Sequence, residues 1–318
     1  MRGRRRSFPA LLATALVPLC VAVIGGQGAT KWNPPRTIDG HPDFNGYWTN
    51  DSYTPLERPE EAKGKEFFTP EEAKAFLKSR LDRLAGQSRQ DIHYDDALWQ
   101  AENYAKQANL RTSIITDPPD GKIPPITAAA RQRTAARQAA RKGRGPADSF
   151  TDRSLYDRCI SLGVPGSMTP MIYGNAYDIT QGPGFVAIRY EMIHETRIVP
   201  TNNGSHLPST MKNYMGDARG RWEGDTLVVE TTNFNPLIAF RGASEKLKVT
   251  ERFTPINANT IRWEIRFEDP DTWEQSWAYA MPLKRDAEHA PYEYACHEGN
   301  RGLANILSAA RSEEKAAK

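Results

Sequence analysis

His194 is the residue of this sequence whose setting is best suited to acid–base chemistry. It lies in a run of β-branched and aromatic residues, 185–198, that follows the turn Gln181-Gly182-Pro183-Gly184. Alternate side chains of a strand share a face, and the face of His194 is mostly apolar, comprising Val186, Ile188, Tyr190, Met192, Thr196 and Ile198. A histidine lining an apolar cavity can act as general acid or base near neutral pH. The run predicts a catalytic His194 with ligand contacts from Tyr190 and Met192; the alternative is a buried, hydrogen-bonded histidine.

The opposite face of the same run is mostly charged. It carries Ala187, Arg189, Glu191, Ile193, Glu195 and Arg197. A strand with one apolar and one charged face lies between a core and solvent. We therefore expect Glu195 and Arg197 to form an ion pair on the outer face.

A second group of reactive residues surrounds Cys296. His297 and Glu298 follow it directly, and we predict that both belong to the catalytic site. Of the 3 cysteines, Cys20 lies in the apolar stretch near the start of the chain, which leaves Cys159 and Cys296 as a predicted disulfide. The alternatives are a thiol nucleophile and a metal-binding pair. A bridge would hold the neighbouring side chains rigidly, as a preorganised site requires.

Aromatic and basic residues elsewhere supply candidate ligand contacts. Trp222 and Trp263 lie in predicted strands or beside their turns and could line a pocket for an apolar or ring-shaped ligand. Arg241 and Arg252 could stabilise the anion that forms when a substrate gives up a proton to His194. These four residues complete the predicted ligand-binding set.

Several classes of site lack their sequence signature. The 6 histidines show no His-x-His, His-x-x-x-His or His-Glu-x-x-His spacing. No Gly-x-Ser-x-Gly elbow and no glycine-rich loop between a strand and a helix occurs, which argues against α/β-hydrolases and nucleotide-binding folds. We predict no metal and no cofactor, while a metal site assembled from distant strands stays open. His206 lies in a polar loop from which it could reach either histidine cluster.

The first thirty residues have the pattern of a cleavable signal peptide. Four arginines precede an apolar stretch over residues 8–24, and Gly26 and Gly28 predict cleavage before Ala29. We expect residues 1–28 to be removed and the protein to be periplasmic or extracellular, with no stable membrane anchor after processing. The pair Arg5-Arg6 keeps the twin-arginine route open beside the general secretory route.

The charge balance does not indicate a nucleic-acid partner. The whole chain has a formal net charge of +3, and removing residues 1–28, with four arginines and no acidic residue, lowers it to −1. The mature chain therefore lacks the basic surplus typical of nucleic-acid-binding domains. We expect a small-molecule ligand or substrate, and the composition leaves the oligomeric state open.

Helix and turn signals suggest how the chain is divided. Residues 29–60 are predicted to form an N-terminal arm and first strand, and residues 61–175 a helical, proline-rich insertion with helices over 69–84, 95–108 and 127–142. Residues 176–300 are predicted to form an antiparallel sheet or barrel, and residues 301–318 a C-terminal tail.

The predicted strands of the second half alternate in period two and are linked by short turns. The pattern is clearest at 261–268, where Ile261, Trp263, Ile265 and Phe267 share one face. Such patterning is typical of a sheet with one buried face. The fold class is therefore mainly β (α+β), an antiparallel up-and-down barrel or a strongly curved sheet.

Two sets of residues resemble known proteins. Gly46-Tyr47-Trp48 resembles the Gly-x-Trp of the first strand of lipocalins and other calycin barrels, which implies a barrel whose closed end the tryptophan fills. The helical insertion after this strand departs from a compact lipocalin. The strings at 216–231 and 292–300 resemble a broad group of uncharacterised exported bacterial proteins, which implies a shared fold and no activity.

Three functions fit these observations. The first is an exported, lipocalin-like protein that binds a partly apolar small molecule. The second is a lyase, isomerase or hydrolase on the same scaffold, with His194 as general acid or base. The third is an envelope interaction module. A binding protein predicts an apolar cavity, an enzyme predicts converging titratable groups, and an interaction module predicts an exposed apolar patch.

Overall fold

The computed structural model describes residues 32–50, 52, 54–85, 110–171, 174–288 and 292–316. The predicted signal peptide and the predicted helix over 95–108 lie outside the described residues. Pro34–Lys318 forms one unit, to which the following description applies. No helix among the described residues is long and apolar enough to cross a membrane.

Ten strands of the described residues form one antiparallel sheet. They are β1 Gly46–Thr49, β2 Ile115–Asp117, β3 Ala176–Gly182, β4 Phe185–Tyr190, β5 Thr196–Pro200, β6 Asp217–Glu223, β7 Thr226–Thr232, β8 Lys248–Asn257, β9 Thr260–Glu268 and β10 Trp277–Arg285. Their order is β5-β4-β3-β1-β10-β9-β8-β7-β6, with β2 paired to β10 outside this path.

The sheet curls into a nearly closed barrel, with the edge strands β5 and β6 facing each other. A Cβ atom at Gly220 of β6 would lie 2.9 Å from Val199 Cγ1 and 2.9 Å from Thr201 Cγ2. A glycine at this position therefore lets the two edges approach closely. The predicted fold class, an antiparallel barrel, is confirmed.

Three helices are described, α1 Pro70–Ala85, α2 Ala128–Ala140 and α3 Arg301–Ala316. Helix α1 begins with a capping box, in which the Glu72 amide donates to Thr69 Oγ1 at 3.2 Å and the Thr69 amide donates to Glu72 Oε2 at 2.9 Å. Thr127 caps α2 by accepting from the Ala130 amide at 3.1 Å. The helices predicted over 69–84 and 127–142 are confirmed to within a few residues.

Large side chains fill the barrel interior. On β9, Ile261, Trp263, Ile265 and Phe267 are buried and Arg262 and Arg266 are exposed, as the alternation predicts. The fully buried aromatic side chains are Phe44, Trp48, Tyr177, Tyr190, Phe253, Trp263, Phe267, Trp277 and Tyr279. They pack on one another, with the rings of Phe267 and Trp277 stacked 4.2 Å apart.

The Gly-x-Trp tryptophan lies in this core. Trp48 Nε1 donates to the Phe44 carbonyl at 2.8 Å, and the guanidinium of Arg285 lies 4.4 Å from the Trp48 ring. Gly46 has φ 119°, and a Cβ atom there would lie 2.8 Å from Arg285 Nη1. The positive φ therefore favours glycine at this position of the motif, and a side chain there would also displace the Arg285 guanidinium.

The single strand expected over 185–198 is wrong. It is two strands, β4 and β5, joined by a turn in which Ile193 and His194 have φ 62° and φ 49°. The Tyr190 amide donates to the Glu195 carbonyl at 2.9 Å and closes the turn. These two left-handed residues shift the alternation, so that Arg197 and Val199 of β5 point inward.

Two expectations about this segment are corrected by the same turn. His194 lies on the turn and not on the inner face of a strand, and Arg197 lies inside the barrel and not on an outer face with Glu195. Arg197 donates to Glu251 Oε2 at 2.6 Å and Oε1 at 3.1 Å. Burial lowers the pKa of Arg197, but the Glu251 carboxylate and Tyr190 together raise it more, and the net pKa is above its ordinary value.

Candidate functional site

One end of the barrel, the mouth, is formed by the β3–β4 and β6–β7 turns and is crossed by residues 36–45, the mouth arm. Arg36 forms an ion pair with Asp225 of the β6–β7 turn at 2.7 Å. Gln181 at the end of β3 accepts from the Phe44 amide at 2.6 Å and donates through Nε2 to the Pro42 carbonyl at 3.0 Å. The arm is therefore held against the barrel at both of its ends.

A cavity of about 230 Å³, the mouth cavity, lies between the arm and the barrel. Its lining is mixed, comprising Thr37, Asp39, His41, Gln181, Gly182, Gly184, Phe185, Val186, Thr201 and Trp222. His41 stacks on Trp222 with ring centroids 4.4 Å apart and planes inclined by 6°. Val186 is a buried, inward-pointing residue of β4, so the cavity borders the barrel core at the mouth.

Two glycines of the β3–β4 connection, Gly182 and Gly184, line this cavity. Gly184 has φ 77°, and a Cβ atom at Gly182 would approach the Phe185 ring to 2.4 Å. The Thr201 amide donates to the Gly184 carbonyl at 2.8 Å and ties the end of β5 to the same turn. The turn signal in the sequence thus positions Phe185 and Thr201 at the cavity edge.

The opposite end of β4 carries a second polar cluster, the histidine pair of His194 and His297. Their ring centroids are 5.2 Å apart. His194 Nδ1 lies 2.8 Å from the carbonyl oxygen of Tyr294. A carbonyl oxygen only accepts hydrogen bonds, so Nδ1 carries the proton and the neutral ring keeps its lone pair on Nε2.

The backbone under His194 is strained. Left-handed φ values at non-glycine residues cost about 1–3 kcal/mol each and are rarest for β-branched residues such as Ile193. Ile193 and Met192 are buried, and this burial anchors the turn. The packing therefore fixes the backbone of the turn that carries His194.

The Cys159–Cys296 disulfide is confirmed. Its Cα atoms are 5.8 Å apart, and it joins residues 137 positions apart in the sequence. Asn300 adds a second connection by donating to the Asp157 carbonyl at 3.0 Å, and it caps α3 through the Leu303 amide at 3.1 Å. These contacts fix the segment that carries His297.

Glu195, beside His194, is directed away from the pair. Ser161 Oγ lies 3.0 Å and 2.8 Å from its two carboxylate oxygens. Burial raises the pKa of Glu195, while hydrogen bonds from Ser161 and the Leu162 backbone oppose the shift. The carboxyl of Glu195 is therefore committed to the 161–163 loop.

The structure brings together some of the predicted site residues and separates others. His194 and His297 meet, with Glu298 exposed beside them, and Met192 is buried under their turn. Tyr190 and Trp263 are buried in the barrel interior, where burial raises the pKa of the Tyr190 phenol. Of the predicted ligand contacts, Trp222 lines the mouth cavity. The roles of all these residues stay predictions.

The contacts recorded for Arg241 and Arg252 are with groups other than His194. Arg252 is on the outer face of β8 and pairs with Glu223 at 2.9 Å. Arg241 is exposed, with its guanidinium 5.7 Å from the Phe240 ring. The alternation of β8 explains the first, because Glu251 takes the inward position next to Arg252.

Two polar groups of the folded chain have no clear signal in the sequence. The inward position of Glu251 follows from the alternation of Val249, Glu251 and Phe253 along β8. The inward position of Arg197 does not follow from the sequence, because the turn at Ile193 shifts the alternation before β5. His206 lies between two carboxylates, with Nδ1 2.7 Å from Asp217 Oδ2 and Nε2 3.4 Å from Glu230 Oε1. No local spacing indicates this second contact.

A larger cavity of about 390 Å³ lies outside the barrel beside α2, and its lining includes Thr127, Asp269 and Trp273. None of the predicted site residues lines it. In the part of the chain that the structure describes, no group of three or more His, Cys, Asp or Glu side chains is placed to hold a metal ion.

Comparison with known proteins adds little. No protein-family model matches the sequence, and no curated protein matches it. Among solved structures, the chain is similar to a secretory abundant heat soluble (SAHS) protein from Ramazzottius varieornatus, with 13% identity over 42% of this chain and 87% of the other. The TM-score is 0.25, and no functional inference is taken from that similarity.

Proposed function

We propose that this chain is an exported, lipocalin-like protein that binds a small, partly apolar molecule in the mouth cavity. The observation that carries the proposal is the cavity of about 230 Å³ between the mouth arm and the barrel, with apolar and polar groups on its walls. Binding sites are concave and combine apolar surface with a few polar groups that orient the ligand. The disulfide supports export, because disulfides persist in oxidising compartments.

The barrel interior is not the proposed site. Its volume is taken by nine fully buried aromatic side chains and by the Arg197–Glu251 ion pair, whose side chains are 2% and 0% exposed. A ligand there would have to displace close-packed rings and separate two buried charges, which is costly. The mouth cavity requires neither change.

The lining specifies the ligand's chemistry. Val186 and Phe185 offer an apolar wall, and the stacked rings of His41 and Trp222 offer an aromatic edge. Asp39 and Thr201 place an anionic and a hydroxyl group at the cavity border. Since drug-sized sites measure roughly 300–1,000 Å³, we expect a ligand of about one ring with a hydrogen-bonding or cationic substituent.

A screen of single-ring alcohols and amines by saturation-transfer-difference NMR tests this proposal. Fragments that bind the wild-type chain should bind at least about tenfold more weakly to Trp222→Ala, a loss of about 1.4 kcal/mol. Asp39→Asn should weaken amines more than alcohols, because it removes only the charge. Phe150→Ala is the matched control, since Phe150 is an exposed aromatic residue (53%) that does not line the cavity.

Two results would overturn the mouth site. One is the absence of any binding fragment; the other is binding that Trp222→Ala and Asp39→Asn leave unchanged. Far-UV circular dichroism of each variant separates loss of the site from loss of the fold.

A further inference from the structure

The two rings of the histidine pair have the separation of two ligands on one metal ion. Their centroids are 5.2 Å apart and their planes are inclined by 46°. Two imidazoles on a tetrahedral Zn²⁺, each with a metal–nitrogen distance of about 2.1 Å, place their ring centroids roughly 5 Å apart. The separation of the two rings is therefore compatible with a shared ion.

The hydrogen bond of His194 prepares it to donate a lone pair. Nδ1 donates to the Tyr294 carbonyl at 2.8 Å, so the lone pair is on Nε2. Metal-binding histidines almost always donate their other ring N–H to a carbonyl or carboxylate, which fixes tautomer and orientation. His194 has this arrangement.

The disulfide positions the second proposed ligand, His297, which is distant from His194 in the sequence. His297 follows Cys296, which is bonded to Cys159, and Asn300 ties the same segment to the Asp157 carbonyl at 3.0 Å. The Tyr294 carbonyl that orients His194 belongs to this segment too. One covalent bridge thus holds both His297 and the hydrogen-bond acceptor of His194.

Neighbouring groups leave the other coordination positions open. Both cysteines are oxidised, and the carboxylate of Glu195 is directed to Ser161. Glu298 is exposed next to His297. The described residues therefore provide two imidazoles in place and no closed cage, which differs from a structural zinc site with four protein ligands.

We propose that His194 and His297 are two protein ligands of a binding site for a divalent transition-metal ion of the zinc class, with the remaining positions open to water or a substrate. Imidazole nitrogen suits Zn²⁺ and its neighbours in the first transition row. The site is at the opposite end of β4 from the mouth cavity and does not depend on ligand binding there. A metal on Nε2 takes the lone pair that a general base needs. Metal binding would therefore argue against the acid–base role predicted for His194.

Isothermal titration calorimetry with ZnCl₂ on the full chain, free of added histidines, tests the proposal. We expect one Zn²⁺ per chain and a loss of affinity of at least about tenfold in His194→Gln and in His297→Gln. His297 is exposed, so its substitution leaves the fold intact. The double variant Cys159→Ser, Cys296→Ser should also weaken Zn²⁺ binding about tenfold, because the bridge no longer holds His297 and the Tyr294 carbonyl in place.

His206→Gln is the matched control and the main competitor. His206 contacts Asp217 and Glu230, and Zn²⁺ bound there would be lost in His206→Gln and kept in His297→Gln. That result would overturn the histidine-pair site. An affinity for Zn²⁺ that does not change when the disulfide is removed would overturn it as well, because it indicates adventitious surface binding. The absence of Zn²⁺ binding would overturn it too and would leave Nε2 of His194 for acid–base chemistry.

Discussion

Arg197 and Glu251 form a two-point ion pair inside the barrel. The guanidinium donates to Glu251 Oε2 at 2.6 Å and to Oε1 at 3.1 Å, and Trp263 Nε1 donates to Oε1 at 3.1 Å. Removing two charges from water costs free energy. Their mutual attraction offsets this cost only when both partners are present and well placed. The pair consequently ties β5, an edge strand of the sheet, to β8.

Glu251→Gln should lower the free energy of unfolding by about 3–5 kcal/mol, because it leaves the Arg197 charge buried without a counter-ion. Urea unfolding followed by circular dichroism measures the change. The matched control is Glu223→Gln, which weakens the exposed pairs with Arg252 and Arg221 and should change the free energy of unfolding little. Equal losses in both variants would contradict the interior position of Glu251.

Trp263→Ala should lower the free energy of unfolding by roughly 3–5 kcal/mol, because Trp263 is fully buried among Phe253, Tyr279 and Glu251. Arg262→Ala on the opposite face should change little, since its ion pair with Glu264 is solvent-exposed. Denaturant titration of the two variants provides the comparison. A large loss in Arg262→Ala would show that the register of β9 is wrong.

The purified chain should contain no titratable thiol at positions 159 and 296 until a reductant is added. A thiol assay in denaturant checks this on a Cys20→Ala background, which removes the remaining cysteine. Cys159→Ser should destabilise by roughly 2–5 kcal/mol, because the bridge closes a long loop between residues 137 positions apart. Two free thiols in the unreduced chain would be incompatible with the bridge.

Glu195 should make stability fall as the pH rises. Burial raises its pKa above the ordinary 4.5, so the folded chain holds this proton more tightly than the unfolded chain. Its contribution is fully present below pH 4.5 and is lost as the pH rises through the raised pKa of the folded state. Relative to Glu195→Gln, which keeps a neutral group beside Ser161, the wild type should lose stability over this window. A constant difference between the two would refute the shift.

The mature N-terminus should lie at or near Ala29. Gly26 and Gly28 place small side chains where signal peptidases require them. Expression with export, followed by N-terminal sequencing, checks the position. Exported material that begins at Met1 would contradict the predicted signal peptide.

The sequence allowed those features to be predicted that depend on local periodicity or capping. The inward face of β9 follows from strict alternation, the start of α1 follows from Thr69, Pro70 and Glu72, and the disulfide follows from counting cysteines. The turn at Ile193 could not be predicted, because isoleucine favours strands and its left-handed conformation is imposed by tertiary packing. The 5.2 Å approach of His194 to His297 likewise depends on the bridge and on the path of residues 292–300, which no local pattern records.

The place of β1 in the sheet has a consequence for how the chain reaches its folded state. Trp48 of β1 pairs with Arg285 of β10, and β1 also pairs with β3. The first strand of the sheet in chain order therefore has the tenth strand as one of its two neighbours. Contacts between such distant residues slow folding, because the loop entropy is lost before the contacts form. During synthesis, β1 therefore cannot take its place between β3 and β10 until residues up to Arg285 have emerged from the ribosome.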